Sequence, residues 1–224
     1  MIKYIKLGGM TMTPKQKAWA IQAEHVIKQM ERRHFNAYYC STKKEALSKA
    51  LSIIEKGSVI ASGGSATIEE VGLLNYIKTH SEEYTFIDRS IAKNEEEKRQ
   101  IHAKAILSDY YLMSTNAFTM DGQLVNIDGN GNRVSALCYG PKHVVIITGM
   151  NKLTPSVEDA YKRIRQDACP PNCVRLGLPT PCSKTGVCGD CMSASSICDL
   201  FVTTRMSRYP DRIHIIMVGE ELGY

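Results

Sequence analysis

Long apolar runs are missing from this sequence. Stretches such as Val144 to Ile147 are far shorter than the roughly 20 residues that a membrane-spanning helix needs, so no membrane span is expected. Residues 1–10, MIKYIKLGGM, also lack the apolar stretch and small-residue cleavage site of a secretory signal. We therefore expect a cytoplasmic protein. Residues 1–11 fit either an upstream extension or an extra strand.

Signals for several function classes are missing as well. The 28 Lys and Arg residues are mixed with 23 Asp and Glu, giving a net charge of +5 without a basic stripe, so nucleic-acid binding is not expected. No nucleotide-binding motif is found, because the loop Gly63-Gly64-Ser65 is not followed by Gly-Lys-Ser/Thr and lacks the third glycine of the dinucleotide fingerprint. The six histidines are scattered and form no recognisable catalytic array, so the catalytic residues stay unknown and it stays uncertain whether the protein is an enzyme.

What is present is an ordinary globular composition. The chain has 224 residues, of which 43% are apolar and 23% charged. A chain of this length buries about 70–75% of its unfolded surface, which is enough for a core without disulfides. We expect an N-terminal helical segment (1–55) packed on an α/β domain (56–224), the two forming one compact domain, with a Cys-rich insertion at about 167–200.

Strand-like and helical patterns alternate along most of the chain. Thr13-Pro14 is typical of a helix start, and Asn94 and Ser156 are candidate caps of later helices. Apolar strands are predicted in between, at 35–40, 58–61, 84–87, 110–113, 144–148 and 213–218. This alternation predicts an α/β fold with a mostly parallel sheet flanked by helices.

The rhythm changes after Asn116. Gln123–Ile127 and Arg133–Cys138 are both strand-like, and the turn sequence DGNGN separates them. The pattern therefore predicts a late antiparallel hairpin from these two segments.

A glycine loop, Gly63-Gly64-Ser65, lies between a buried strand and a helix start. Backbone N–H groups in such a loop can hold an anion, and glycine permits close approach. The same residues also fit a tight strand-to-helix turn in which Ser65 or Thr67 caps the helix. Both interpretations stay open. Glu70, one turn further on, fits a residue that complements the helix dipole.

The segment 115–133 is rich in Asn, Asp and Gly between apolar strands. A plain hairpin needs fewer such residues, and a guanidinium can hold a carboxylate or phosphate in bidentate fashion. We therefore favour a ligand site over a purely structural hairpin. Its candidate residues are Asn116, Asp121, Asn126, Asp128, Asn132 and Arg133.

Six of the eight cysteines fall between Cys169 and Cys198. A dense Cys segment without a secretory signal favours metal or redox chemistry over structural disulfides. Its strongest unit is Cys188-Gly189-Asp190-Cys191, which Cys182 and Cys198 can complete to four sulfurs for Zn²⁺ or a four-iron four-sulfur (4Fe–4S) cluster. Cys169 and Cys173 are left over as alternative ligands, a redox pair or unpaired thiols.

Four segments together resemble the LUD-domain family, the lactate-utilisation proteins of bacteria. They are the GGS loop at 63–65, NAFTMDGQLVNIDGNGNR at 116–133, YGPKHVVIITGMNK at 139–152 and TPCSKTGVCGDC at 180–191. The Cys-rich segment is similar to that of a short, stand-alone branch. The resemblance implies the fold of sugar-phosphate isomerases, glucosamine-phosphate deaminases and CoA transferases. It also implies a common anion cleft, which we assign to Gly63, Gly64, Ser65, Thr67, Asn116, Asp121, Asp128, Gly129, Asn132 and Arg133.

The resemblance also suggests a function. The family is associated with oxidation of lactate to pyruvate, as a subunit beside iron–sulfur partner proteins, and the expected metal set is Cys182, Cys188, Cys191 and Cys198. We expect a small organic acid or a phosphorylated or CoA-linked anion as ligand, and an oligomer is compatible with the sequence. The alternatives are a non-redox enzyme of CoA esters or sugar phosphates with structural zinc, and an assembly subunit without activity.

Overall fold

The computed structural model describes residues 12–224, so the expectations for residues 1–11 lie outside it. Six parallel strands form the central sheet. They are β1 (Asn36–Cys40), β2 (Val59–Ser62), β3 (Thr85–Ile87), β4 (Tyr110–Met113), β7 (His143–Gly149) and β10 (Ile213–Val218). Their order across the sheet is β1-β10-β7-β4-β2-β3. The predicted α/β fold with a mostly parallel sheet is confirmed.

Helices cover both faces of this sheet. One face carries α1 (Pro14–Glu31), α5 (Glu95–Ile106) and α6 (Asn132–Cys138), and the other carries α2 (Lys43–Ile53), α3 (Ala66–Val71) and α4 (Leu73–Thr79). Successive strand residues point to opposite faces, so Val144 and Ile146 join the first core and Val145 and Ile147 the second. Burial on both faces explains why β7 is apolar throughout.

A second, four-stranded sheet lies beside the first. Its strands are β5 (Ala117–Thr119), β6 (Leu124–Asp128), β8 (Leu153–Thr154) and β9 (Leu200–Thr204). Their order is β8-β5-β6-β9, in which β6 runs antiparallel to both β5 and β9. Helix α7 (Val157–Arg163) and the π-helical turn that follows it (Ile164–Ala168) pack on this sheet around Ala160 and Ile164. The chain passes between the two sheets directly after β4 and again directly after β7.

The predicted strand at Arg133–Cys138 is wrong, because these residues form α6. The antiparallel hairpin instead joins β5 to β6. Asp128 Oδ1 accepts the N–H of Gly131 at 2.8 Å, and Gly131 adopts φ +81°, so the turn sequence starts a helix. Val134 and Leu137, three residues apart, are then buried together.

The Cys-rich segment is partly helical. It contains α8 (Cys169–Arg175) and α9 (Pro181–Thr185), and it runs into β9 before the final strand β10. Strand β9 was not predicted. Among residues 12–224, no helix is long and apolar enough to cross a membrane.

Candidate functional site

A cleft of about 570 Å³ opens at the carboxyl ends of β7, β4, β2 and β3. These four strands are neighbours in the sheet and parallel, so the residues that follow them meet at one edge, where α/β folds commonly bind ligands. Gly64–Thr67 follow β2, Ser114–Asn116 follow β4, Arg89 follows β3 and Lys152 lies just beyond β7.

The opposite wall comes from the second sheet and the Cys-rich segment. The end of β6 supplies Asp128 and Gly129, and the start of α6 supplies Asn132 and Arg133. Cys169 and other residues of α8 also line the cleft, as do Gly223 and Tyr224. Of the ten predicted anion-site residues, eight line the cleft, namely Gly64, Ser65, Thr67, Asn116, Asp128, Gly129, Asn132 and Arg133. Their role in binding stays a prediction.

The glycine loop forms the tight turn that one interpretation expected. Ser65 caps α3 by accepting the N–H of Ile68 at 3.3 Å. Gly63 is buried, and its N–H donates to the carbonyl of Leu112. A Cβ on Gly64 would lie 2.6 Å from Nη2 of Arg89, so the glycine lets this guanidinium lie directly against the loop.

Arg133 links several residues of the opposite wall by hydrogen bonds. Its Nε donates to Asp128 Oδ2 at 2.9 Å, and its Nη2 donates to Asn116 Oδ1 at 2.9 Å and to the carbonyl of Ile127 at 2.8 Å. Its Nη1 has only a long contact of 3.5 Å, to the carbonyl of Ser114. The guanidinium thus holds the wall in place and keeps one nitrogen without a short hydrogen bond.

Asp121 lies outside the cleft. It belongs to the turn between β5 and β6, at the other end of the hairpin from Asn116 and Asp128. There it pairs with Arg33 Nη2 at 2.6 Å and accepts the hydroxyl of Thr119. Asn126 is fully buried in β6, where its Oδ1 accepts the N–H of Asn116 at 3.1 Å.

Lys152, like Arg89, is a cleft residue that was not predicted from the sequence. Its residue exposure is 3%, and its Nζ donates to Thr67 Oγ1 at 3.0 Å and to Ser114 Oγ at 3.3 Å. No carboxylate within residues 12–224 forms an ion pair with it. Burial, together with the charges of Arg163 and Arg133, lowers the pKa of Lys152 to about 7, and the charge of Glu70 opposes this shift. The only available signal was its position just after the most apolar strand.

Arg89 supplies a second cation. It is exposed, and in the described part of the chain its guanidinium has neither an ion pair nor a hydrogen bond. Burial lowers the pKa of the neighbouring His102, and the charges of Arg89 and Lys98 add to this effect. With Asp128 already paired to Arg133, the cleft has an excess of positive charge.

The cysteines group in pairs rather than in the predicted set of four. The thiols of Cys169 and Cys198 are hydrogen-bonded, as are those of Cys173 and Cys182. The first contact lowers the pKa of Cys198 to about 7 and, together with burial, raises the pKa of Cys169.

Of the two remaining members of the predicted set, Cys188 lies near enough to Cys169 for its charge to raise the pKa of that thiol. Cys188 Sγ accepts a hydrogen bond from Arg165 Nε at 3.5 Å, and Cys191 is half-buried. Thiols are suitable donors for zinc or iron, but among residues 12–224 no three His, Cys, Asp or Glu side chains converge as a metal site. Cys182, Cys188, Cys191 and Cys198 as arranged do not fit a four-sulfur centre, and the metal set stays a prediction.

The structure is that of an α/β protein with a cleft at the carboxyl ends of its parallel strands. The family model described as the LUD domain matches residues 23–218. The chain therefore belongs to the LUD-domain family, which is associated with lactate utilisation, and the predicted membership is confirmed.

The solved structures include a similar chain, the crystal structure of a DUF162 family protein from Deinococcus radiodurans at 1.70 Å resolution. Its TM-score is 0.49 at 14% identity, and the match covers 93% of this chain and 99% of that chain. A search of the curated proteins finds no match.

Proposed function

We propose that the cleft binds a small organic acid of the lactate type and that the chain works as a subunit of a lactate-to-pyruvate oxidation system beside iron–sulfur partner proteins. The observation that carries this proposal is the cationic cleft, in which, among residues 12–224, Arg89 is unpaired and Lys152 has no carboxylate partner. Charge-assisted hydrogen bonds from such groups are about twice as strong as neutral ones, so they favour a carboxylate ligand.

Thermal unfolding with and without lactate or pyruvate tests this proposal. A ligand at 100 times its Kd should add about 2.7 kcal/mol of stability. Arg89→Gln should remove most of the shift, because the unpaired guanidinium would be lost. Arg99→Gln is the matched control, since Arg99 is an exposed arginine that pairs with Glu96 outside the cleft. The proposal fails if no acid stabilises the protein, or if the Arg89 variant keeps the full shift.

The size of the cleft favours a second candidate ligand class. A volume of about 570 Å³ lies within the usual range for small-molecule sites, roughly 300–1,000 Å³, and exceeds what a three-carbon acid fills. A sugar phosphate or a CoA ester would use more of this space. The same thermal assay should therefore include both classes, and stabilisation by one of them alone would favour a non-redox enzyme.

The Cys-rich segment supports metal binding through its donors. All six of its thiols are free of disulfides, and thiolates are the usual ligands of zinc and iron–sulfur clusters. Metal and sulfide analysis of protein purified without oxygen tests this. Cys188→Ser with Cys191→Ser should abolish binding if the predicted set is correct, whereas Cys169→Ser with Cys173→Ser should do so if the paired thiols are the ligands. Full metal content in both double variants would refute a Cys-ligated metal.

A further inference from the structure

Lys152 is the buried reactive group that the proposed binding function does not fully use. Its Nζ lies in the cleft wall between two hydroxyl groups, Thr67 Oγ1 and Ser114 Oγ. The neutral amine has two N–H protons, which these two contacts use, and one lone pair. The lone pair therefore remains available for a bond to a ligand.

Lysines that form covalent adducts with carbonyl compounds share two features. They are desolvated, and a neighbouring cation helps to keep the amine neutral at physiological pH. Lys152 has both features, because it is almost completely buried and the guanidinium groups of Arg133 and Arg163 act on it. Within the described part of the chain, the opposing charge is that of Glu70, which also accepts the N–H of Gly223 at 3.1 Å.

We infer that Lys152 is a nucleophile that forms an imine with the carbonyl carbon of a 2-oxo acid bound in the cleft. The amine nitrogen bonds to the carbonyl carbon and loses its two protons, the carbonyl oxygen takes up these two protons and leaves as water, and no oxidant or reductant is needed. The hydroxyls of Thr67 and Ser114 lie where they can relay these protons. Arg89 is the unpaired cation available for the carboxylate of the same molecule.

This inference rests on the proposed function for its substrate class. Within that class it separates 2-oxo acids, which carry a carbonyl, from 2-hydroxy acids, which do not. Lactate can then bind only through ionic contacts, whereas pyruvate can also bind covalently.

Reductive trapping tests the inference directly. The protein is incubated with pyruvate and cyanoborohydride at pH 7, digested and analysed by mass spectrometry. An imine at Lys152 would be reduced to a stable 1-carboxyethyl amine on the peptide that contains this residue. At pH 7, about half of the Lys152 side chains are neutral if their pKa is about 7, whereas roughly one in a few thousand ordinary lysine side chains is neutral. We therefore expect Lys152 to be labelled on the order of a thousandfold faster than surface lysines.

Two variants complete the experiment. Lys152→Met should abolish the adduct. Lys142→Met is the matched control, because Lys142 lies at the other end of β7, is exposed and pairs with Asp109 at 2.6 Å. In the Lys142→Met variant, Lys152 should be labelled at the same rate as in the unchanged protein.

The outcomes distinguish the inference from the proposed function. Stabilisation by pyruvate without an adduct on Lys152 would overturn the inference and leave the anion site standing. An adduct confined to other lysines, or one retained in Lys152→Met, would also overturn it. Absence of both stabilisation and adduct would refute the proposed function and the inference together.

Discussion

Replacing Lys152 by Met should make the stability of the protein depend on pH in a defined way. In the folded state the pKa of Lys152 falls from 10.5 to about 7 because the amine is buried. In the unfolded chain the amine is solvated and keeps an ordinary pKa. Between these two values the unfolded state binds one more proton than the folded state, so the stability of the unchanged protein rises with pH.

The magnitude follows from this difference. One proton corresponds to a slope of about 1.4 kcal/mol per pH unit. The shift of the pKa from 10.5 to about 7 corresponds to a loss of roughly 5 kcal/mol in the free energy of unfolding. The full loss applies at and below neutral pH, where the buried amine is protonated. Lys152→Met removes the amine and with it this cost. Its stability relative to the unchanged protein should be greatest near pH 7 and should decline as the pH rises.

Urea unfolding of both proteins between about pH 6 and pH 9.5, under reducing conditions, measures this difference. The thiols and the other lysines titrate in both proteins, so their contributions cancel. A difference in unfolding free energy that stays flat across this range would mean that Lys152 keeps an ordinary pKa when folded, and the reasoning would be refuted.

Three further predictions concern single side chains. Arg133→Ala should lower the free energy of unfolding by about 3 kcal/mol, because Asp128 would lose its partner in a largely buried site; a loss below about 1 kcal/mol in urea unfolding would contradict this. Ser65→Ala should lower it by about 1 kcal/mol through loss of the cap on Ile68, and an unchanged melting temperature would count against that cap. Burial lowers the pKa of His214, so stability should fall as the pH drops below the ordinary histidine value of 6.5. His214→Gln should reduce this acid sensitivity, and an identical acid transition in urea would contradict it.

The central sheet could be predicted because its signals are local. The buried parallel strands are continuous apolar runs, as in Val144–Thr148, and residues such as Asn94 and Ser156 cap the helices that follow. The strand predicted at Arg133–Cys138 failed because its alternating pattern also fits a short helix. The helix forms because Asp128 accepts the N–H of Gly131 at its start and because Leu137 is buried in the core.

The candidate site could be predicted only in part. The polar residues that follow β2, β4 and β6 stand out in the sequence as a glycine loop and an Asn-rich segment. Lys152 and Arg89 do not stand out, because single basic residues after a strand are common and their burial or lack of a partner depends on the whole fold. The distant contact between Cys169 and Cys198 likewise follows from how α8 packs, and spacing does not reveal it.

Two of the passages of chain between the sheets, those directly after β4 and β7, have a consequence for how this protein can change over evolution. Ser114–Asn116 and Lys152 lie on these passages, so they line the cleft and also hold the two sheets together. Substitutions there alter the ligand site and the junction at once. Arg89 is exposed after an edge strand, so its replacement leaves the junction intact. New ligand preferences within the family can therefore arise most readily on the β3 side of the cleft, while the side that carries Lys152 is constrained by the architecture.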